Sequence, residues 1–457
     1  MKHRARLVEV LGRAEKGPMM DEKAFEGGLV VRTAEKLVEK YCIEYPKRAI
    51  IPSDDEMADR LYRAALEFAS EVGMLCTDTS RRILWSEKEY EEGLRYCVSD
   101  AVLGEGNDAA RVRARKIGDP EVPMIIGGPY GVEVPEALFV PLMLSYAQES
   151  VIDVIDNPTL EKVYGNSIKA DSPWEVLAAW RELELSRQVI QRAGRLGLCV
   201  GGVEISPTAL GEVSATSWGG FRPQDLHHAA GISEFKTNYE SLSKVAHLTR
   251  VGAELYAFMA CIFGGYFGGA AGVALGLCAA AIVLNQNYMP TIISASSFHP
   301  FLQCTTTREI MWAVSLSTQA LSRNTHLLIS SLVRPSSGPG TRWILYENAA
   351  FAVVATVSGQ AFIQSSMSAS GNHARHASGL EAKISGEVAH AVAGMERGEA
   401  NEIVSRLVAL YETELKERHV GRPFEQVYDV ESVRPTVEWQ GMYDEVKDEL
   451  VRMGIRF

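Results

Sequence analysis

The sequence predicts an α/β fold, a TIM (β/α)8 barrel with additional N-terminal and C-terminal helices, and three observations carry that expectation. First, short apolar runs at 122–126, 151–155, 197–203, 257–263, 291–296, 326–332 and 361–367 alternate with helix-like stretches at 173–193, 270–285, 307–323, 342–358 and 380–397. Parallel strands need crossovers of about a dozen residues or more, which these stretches supply. Second, the seven runs fall one short of a closed barrel, and the eighth is expected in a poorly patterned region. Third, no GxGxxG turn or P-loop follows a strand, which counts against the rival open, doubly wound sheet.

Taken in order, the chain opens with amphipathic helices near 4–15, 21–41 and 54–72, the last with Pro52-Ser53 as its expected cap. Met1-Lys-His-Arg-Ala-Arg6 starts like a basic leader, but Glu9, Arg13, Glu15 and Lys16 break up the apolar segment a leader would need next. No targeting segment is expected, and the location is read as cytoplasmic. Residues 255–307 contain no Asp, Glu, Lys or Arg, and 257–284 is long enough and apolar enough to span a bilayer. Its Gly264-Gly-Tyr-Phe-Gly-Gly269 is costly inside a helix, and no basic cluster flanks it. A buried strand, a glycine turn and a buried helix are predicted instead, with no membrane partner. A last helix is expected near 442–453. Repeats and obvious linkers are absent, so residues 1–457 are read as a single barrel domain with an N-terminal helical extension.

The 46 basic and 58 acidic residues give a net charge of −12, which opposes a broad nucleic-acid or anionic-lipid footprint. The basic run Arg111-Val-Arg-Ala-Arg-Lys116 is read as a solvated or subunit-facing surface. Seven cysteines, none in CxxC spacing, fit free thiols in a reducing compartment better than a disulfide framework or structural zinc.

Glycine pairs at 127–128, 201–202, 219–220 and 264–265 are read as strand-end positions, where a barrel builds its site. His227-His228 and the His373/His376 pair lack a third clustered ligand and are read as surface residues; no metal site is expected. No GxSxG elbow is present. Spacing alone therefore predicts a barrel with a site at its C-terminal rim and leaves the chemistry open.

Further segments carry a resemblance. They are Cys76-Thr-Asp-Thr79, Val102-Leu-Gly104 with Asn107-Asp-Ala109, Gly127-Gly-Pro129, Ser172-Pro-Trp-Glu-Val-Leu-Ala-Ala179 and Ile262-Phe-Gly-Gly-Tyr-Phe-Gly-Gly269. Thr307-Arg-Glu309, Gly338-Pro339, Gly386-Glu-Val-Ala389 and Phe424-Glu-Gln-Val-Tyr-Asp-Val430 come after them in the same order. Over essentially its full length the chain resembles the monomethylamine methyltransferases of methanogens. That resemblance implies a TIM barrel, assembled as a homohexamer, that passes a methyl group from a methylated amine to the cobalt of a separate corrinoid protein. No cofactor is then expected on this chain; the methyl acceptor is a corrinoid carried by the partner protein.

The family's signature is a pyrrolysine in a strand reading roughly Gly-Met-Gly-Val-Pyl-Gly-Pro-Glu. Here that segment reads Gly197-Leu-Cys-Val-Gly-Gly-Val-Glu204, so Gly201 stands at the pyrrolysine position and Gly202 and Glu204 are retained. By the same alignment His228 and Phe258 stand where the family has glutamates facing the pyrrolysine ring, and Leu332 where it has a glutamine. Losing the electrophilic side chain and both carboxylates removes the family's route to methylamine, so the methyl donor is expected to bring its own leaving group. A quaternary ammonium does so, and members of the related trimethylamine methyltransferase family act on glycine betaine without pyrrolysine. Gly201 and His228 are the expected reaction-site positions. Gly202, Glu204, Trp218, Phe221, Phe258, Leu332 and Arg334 are the expected substrate-binding residues, the aromatics for a cation and Arg334 for a donor's carboxylate. A barrel hydrolase or lyase without corrinoid, and a non-catalytic ligand-binding homologue, are the alternatives.

Overall fold

The computed structural model of the protein describes residues 2–202, 208–365 and 367–457. Eight parallel strands close into a barrel: β1 (Met124–Gly127), β2 (Val154–Asp156), β3 (Cys199–Gly202), β4 (Leu226–Ala230), β5 (Glu254–Ala260), β6 (Ile292–Ser296), β7 (Ile329–Val333) and β8 (Phe362–Ser365), with β8 paired back to β1. The helices that come after them in turn are α1 (Glu136–Ala147), α2 (Pro173–Arg192), α3 (Ala209–Ala215), α4 (Tyr239–Val251), α5 (Ala270–Tyr288), α6 (Arg308–Asn324), α7 (Arg342–Ser358) and α8 (Gly379–Val392).

The seven predicted strands are present, and the missing eighth is β4, Leu226-His-His-Ala-Ala230. Its two histidines hide it from a hydrophobic pattern, and neither is a surface residue. His227 lies outside the wall, its ring between Glu212 Oε1 (3.0 Å) and the Arg222 carbonyl (2.9 Å), while His228 is half-buried inside the barrel. β5 begins three residues earlier than its apolar run, at Glu254, whose carboxylate accepts from Thr291 Oγ1 at 2.5 Å.

Side chains alternate across the wall. On β5, Leu255, Ala257 and Met259 join the large core beneath the helices, whereas Tyr256 and Phe258 belong to a second cluster inside the barrel with Met124, Ile126, Val154, Leu226, Ile292, Leu328 and Phe362. That inner cluster also takes Leu103 and Val112 from a hairpin, Asp100–Leu103 with Ala110–Arg113. The hairpin is stitched on through Gly104 N–H to the Gln224 carbonyl and Glu105 N–H to the Gly197 carbonyl, both 2.9 Å. It closes the N-terminal end, and the other end remains for a site.

Among the described residues α5 alone is long and apolar enough to cross a membrane, and it is buried in the chain's own core against α6 and the helix Asp55–Val72. Its small residues permit that approach: a Cβ on Gly276 would stand 3.0 Å from both Cys261 Sγ and the Phe267 ring. The helix therefore offers no face to a second subunit.

Three local readings are corrected. The helix Asp55–Val72 is capped by Asp54, which accepts from Met57 N–H at 2.8 Å, rather than by Pro52-Ser53. The stretch 21–41 divides into a π-helical segment, Ala24–Val30, and an α-helix, Val31–Lys40. The basic run is only half solvated. Arg111 and Arg113 pair with Asp100 and Glu121 at the surface. Arg115 is buried and donates to the carbonyls of Asp119, Glu121, Thr356 and Gln360.

Candidate active site

In a parallel barrel the C-terminal strand ends converge on one mouth. Register sets Gly201 on β3 beside Asp156 on β2. A Cβ built on Gly201 would overlap Asp156 Oδ1 and stand 3.1 Å from its Cγ, so the carboxylate lies where a side chain at 201 would begin.

Asp156 heads a hydrogen-bonded chain across the barrel interior. Its Oδ2 accepts from Gln364 Nε2 at 2.6 Å, and Gln364 Oε1 accepts from the Tyr256 hydroxyl at 2.6 Å. The Gln364 amide thus turns its NH2 to Asp156 and its oxygen to the phenol. Ser330 Oγ lies 3.3 Å from the same phenol oxygen.

His228 stacks on Tyr256 (centroids 4.9 Å apart, planes at 26°), with Tyr130, just beyond β1, tilted against it at 5.5 Å. Its Nε2 stands 3.5 Å from Asp156 Oδ1, longer than a strong hydrogen bond. Burial holds the His228 pKa below its ordinary value, against the raising influence of Asp156, so the ring is mainly neutral at pH 7. For His227 burial also disfavours the charge, but the Glu212 hydrogen bond and charge prevail and raise its pKa. The adjacent histidines thus face opposite sides of the wall in opposite electrostatic settings.

Phe258 comes after Tyr256 on the same face of β5, half-buried and packed against the inner cluster. Leu332 is buried on β7, in register with Gln364. Gly201, His228, Phe258 and Leu332 therefore all stand on the inner face of the barrel.

Other expected residues lie elsewhere. Gly202 turns outward, where a Cβ would stand 3.0 Å from the Phe221 ring. Trp218, Gly219, Gly220 and Phe221 are in the connection from α3 to β4, and such a helix-to-strand connection returns to the N-terminal end. Trp218 is 99% exposed, and Phe221 is buried outside the wall; neither lines the mouth. Arg334, just past β7, lies over the Phe298 ring (5.0 Å) and donates through Nε to the Ser370 carbonyl (2.7 Å) and through Nη2 to Asn372 Oδ1 (3.4 Å). Its fork thus holds the 368–372 turn. Glu204 lies outside the described residues. Among the described residues no group of three or more His, Cys, Asp or Glu is arranged to hold a metal.

Sequence reasoning passed over Asp156, Tyr256 and Gln364. The available signal was a polar residue closing an apolar strand, as in Val154-Ile-Asp156 and Phe362-Ile-Gln364, because that position opens onto the mouth.

Fold and site together define a (β/α)8-barrel protein with a buried polar and aromatic constellation at its mouth. A family model described as monomethylamine methyltransferase MtmB matches residues 6–455. Monomethylamine methyltransferase MtmB2 of Methanosarcina acetivorans is 33% identical over 451 residues, covering 97% of each chain. MtmB1 of Methanosarcina barkeri gives the same identity and coverage. The crystal structure of the Methanosarcina barkeri enzyme superposes with a TM-score of 0.96 at 32% identity, covering 99% of this chain and 98% of that one, and so does a hydroxylamine MtmB complex. The chain belongs to the monomethylamine methyltransferase family.

Proposed function

We propose that this chain is a corrinoid-protein-dependent methyltransferase that works without pyrrolysine, with Gly201 at that position, and takes its methyl group from a quaternary or otherwise cationic donor. One observation carries the reading. Gly201, His228, Phe258 and Leu332, the four positions where the sequence departs from the family's pyrrolysine site, all stand on the inner face, and none bears a carboxylate or an electrophile. A cationic donor suits such a mouth. When Co(I) of the partner's corrinoid takes the methyl group, the C–N bond breaks with its electron pair on nitrogen, and a neutral tertiary amine leaves without needing a proton. Aromatic faces each favour a quaternary ammonium by about 0.5–2 kcal/mol, and Phe258 and Tyr256 supply two rings on one strand face. Trp218 and Phe221 have no part in this reading, and Arg334 serves the rim turn before any substrate carboxylate. The chain is taken to act in the cytoplasm as one domain and, by family resemblance, as a homo-oligomer.

The test mixes the protein with its Co(I) corrinoid protein and tetramethylammonium, glycine betaine, choline or monomethylamine, tracking methyl-Co(III) by visible absorbance. Methylation from a quaternary donor and none from monomethylamine is expected. Monomethylamine turnover at a rate comparable to the best quaternary donor overturns the mechanism.

A further inference from the structure

We infer that Asp156 is the anionic anchor for the cationic group of the methyl donor. This rests on the cationic-donor reading above and adds the residue that selects for charge.

Asp156 ends β2 at the mouth, fully buried, with its carboxylate beside the inner-face position 201. The groups that shape its surroundings include the Gln364 amide at 2.6 Å, a His228 ring 3.5 Å away that burial keeps uncharged, and the glycine at 201. An ionised carboxylate in a site shielded from bulk water favours a cation placed beside it.

Glycine makes room for Asp156 on two sides, for its backbone at residue 128 and for its carboxylate at residue 201. A Cβ on Gly128, at the end of β1, would overlap the Asp156 carbonyl oxygen and stand 2.6 Å from its nitrogen; one on Gly201 would overlap its carboxylate. Any side chain at 201 would therefore compete with Asp156 for one space. Gln364 fixes the carboxylate from the far side, and Tyr256 fixes Gln364 in turn. The next ring after Tyr256 on the same face is Phe258, so the inner face of the barrel carries both a carboxylate and an aromatic ring, the two kinds of group that bind quaternary ammonium. The hydrogen bond to Gln364 fixes the charge before the ligand arrives, which lowers the reorganisation cost of binding.

The test uses choline and its uncharged isostere 3,3-dimethylbutan-1-ol, titrated calorimetrically into the full chain and into Asp156→Asn. The wild type should prefer choline, and Asp156→Asn should lose about 100-fold in choline affinity while binding the isostere as before. Unchanged isostere binding reports that the mouth is still built. A second variant, Gly201→Ala, crowds the carboxylate without removing it and should weaken choline several-fold more than the isostere. If the wild type prefers choline and Asp156→Asn keeps that preference, the anchor is wrong and the cationic-donor reading stands. If the wild type shows no preference, both fall. Equal weakening of the two ligands by Gly201→Ala also overturns the anchor.

Discussion

The tight packing at the mouth fixes the sign as well as the size of what a side chain at residue 201 would do. Alanine there places a methyl group on Asp156 Oδ1 and 3.1 Å from Cγ, so the carboxylate must retreat by about 1 Å to restore ordinary contact. The retreat strains or breaks the 2.6 Å bond from Gln364, and a hydrogen bond to a charged group contributes about 1.5–3 kcal/mol. Against this, replacing glycine by alanine in a strand gains about 0.5–1 kcal/mol in unfolded-state entropy, and Gly201 has no positive φ to forbid it. The net expectation for Gly201→Ala is about 1–2 kcal/mol of destabilisation. For a chain of 457 residues this is about 1 °C in melting midpoint per kcal/mol. In an Asp156→Ala background the obstruction is gone and the same substitution should stabilise by about 0.5–1 kcal/mol. Thermal melts of the four proteins in the cycle, read by circular dichroism, give the coupling. The same destabilisation in both backgrounds would refute the idea that Asp156 occupies the space at 201.

Phe258→Ala should weaken binding of a quaternary ammonium ligand by about 1–2 kcal/mol in calorimetric titration, through lost cation–π and packing contact; unchanged affinity removes Phe258 from the site. Trp218→Ala should leave that affinity within about twofold, because the side chain is 99% exposed on the α3–β4 connection; a tenfold loss would return it to the mouth. Burial, reinforced by Glu26 and opposed by the Ile262 N–H, pushes the Glu234 carboxyl up to about 7. The folded state then holds its proton more tightly than the unfolded chain, so this contribution is complete below about pH 4.5 and is lost as pH rises through about 7. Glu234→Gln should be more stable than wild type at pH 8 by about 2–3 kcal/mol and show a flatter stability profile from pH 4.5 to 7. Parallel profiles in urea titrations would contradict this.

The barrel was legible because apolar runs and crossover lengths arise from burial on both faces of a parallel sheet, a pattern that needs no tertiary knowledge. β4 was not, because Leu226-His-His-Ala-Ala230 buries its polar rings through partners distant in sequence or on another strand: Glu212 outside, Tyr256 and Tyr130 inside. The glycine pair at 219–220 looked like its counterparts at strand ends, yet it makes a turn at the other end of a helix. Composition cannot tell a strand-to-helix turn from a helix-to-strand one. Trp218 and Phe221 were drawn into the expected site by that ambiguity. The role of Arg115 was hidden for a similar reason: the carbonyls it satisfies at residues 356 and 360 are about 240 positions away.

The family resemblance implies what residues 201, 228, 258 and 332 lack, and barrel register shows what stands beside them. Gly201 pairs with Asp156, and Leu332 pairs with Gln364. At both places a position without a polar side chain adjoins a strand that carries one, so the carboxylate and amide of this mouth stand on β2 and β8. Adjacent strands in a parallel sheet are about 4.8 Å apart, close enough for a side chain on one to fill space opened on the next. The mouth is therefore not an emptied site. Its charge comes from a residue whose approach the glycine at 201 permits, which is why Gly201→Ala and Asp156→Asn should disturb the same ligand and be non-additive when combined.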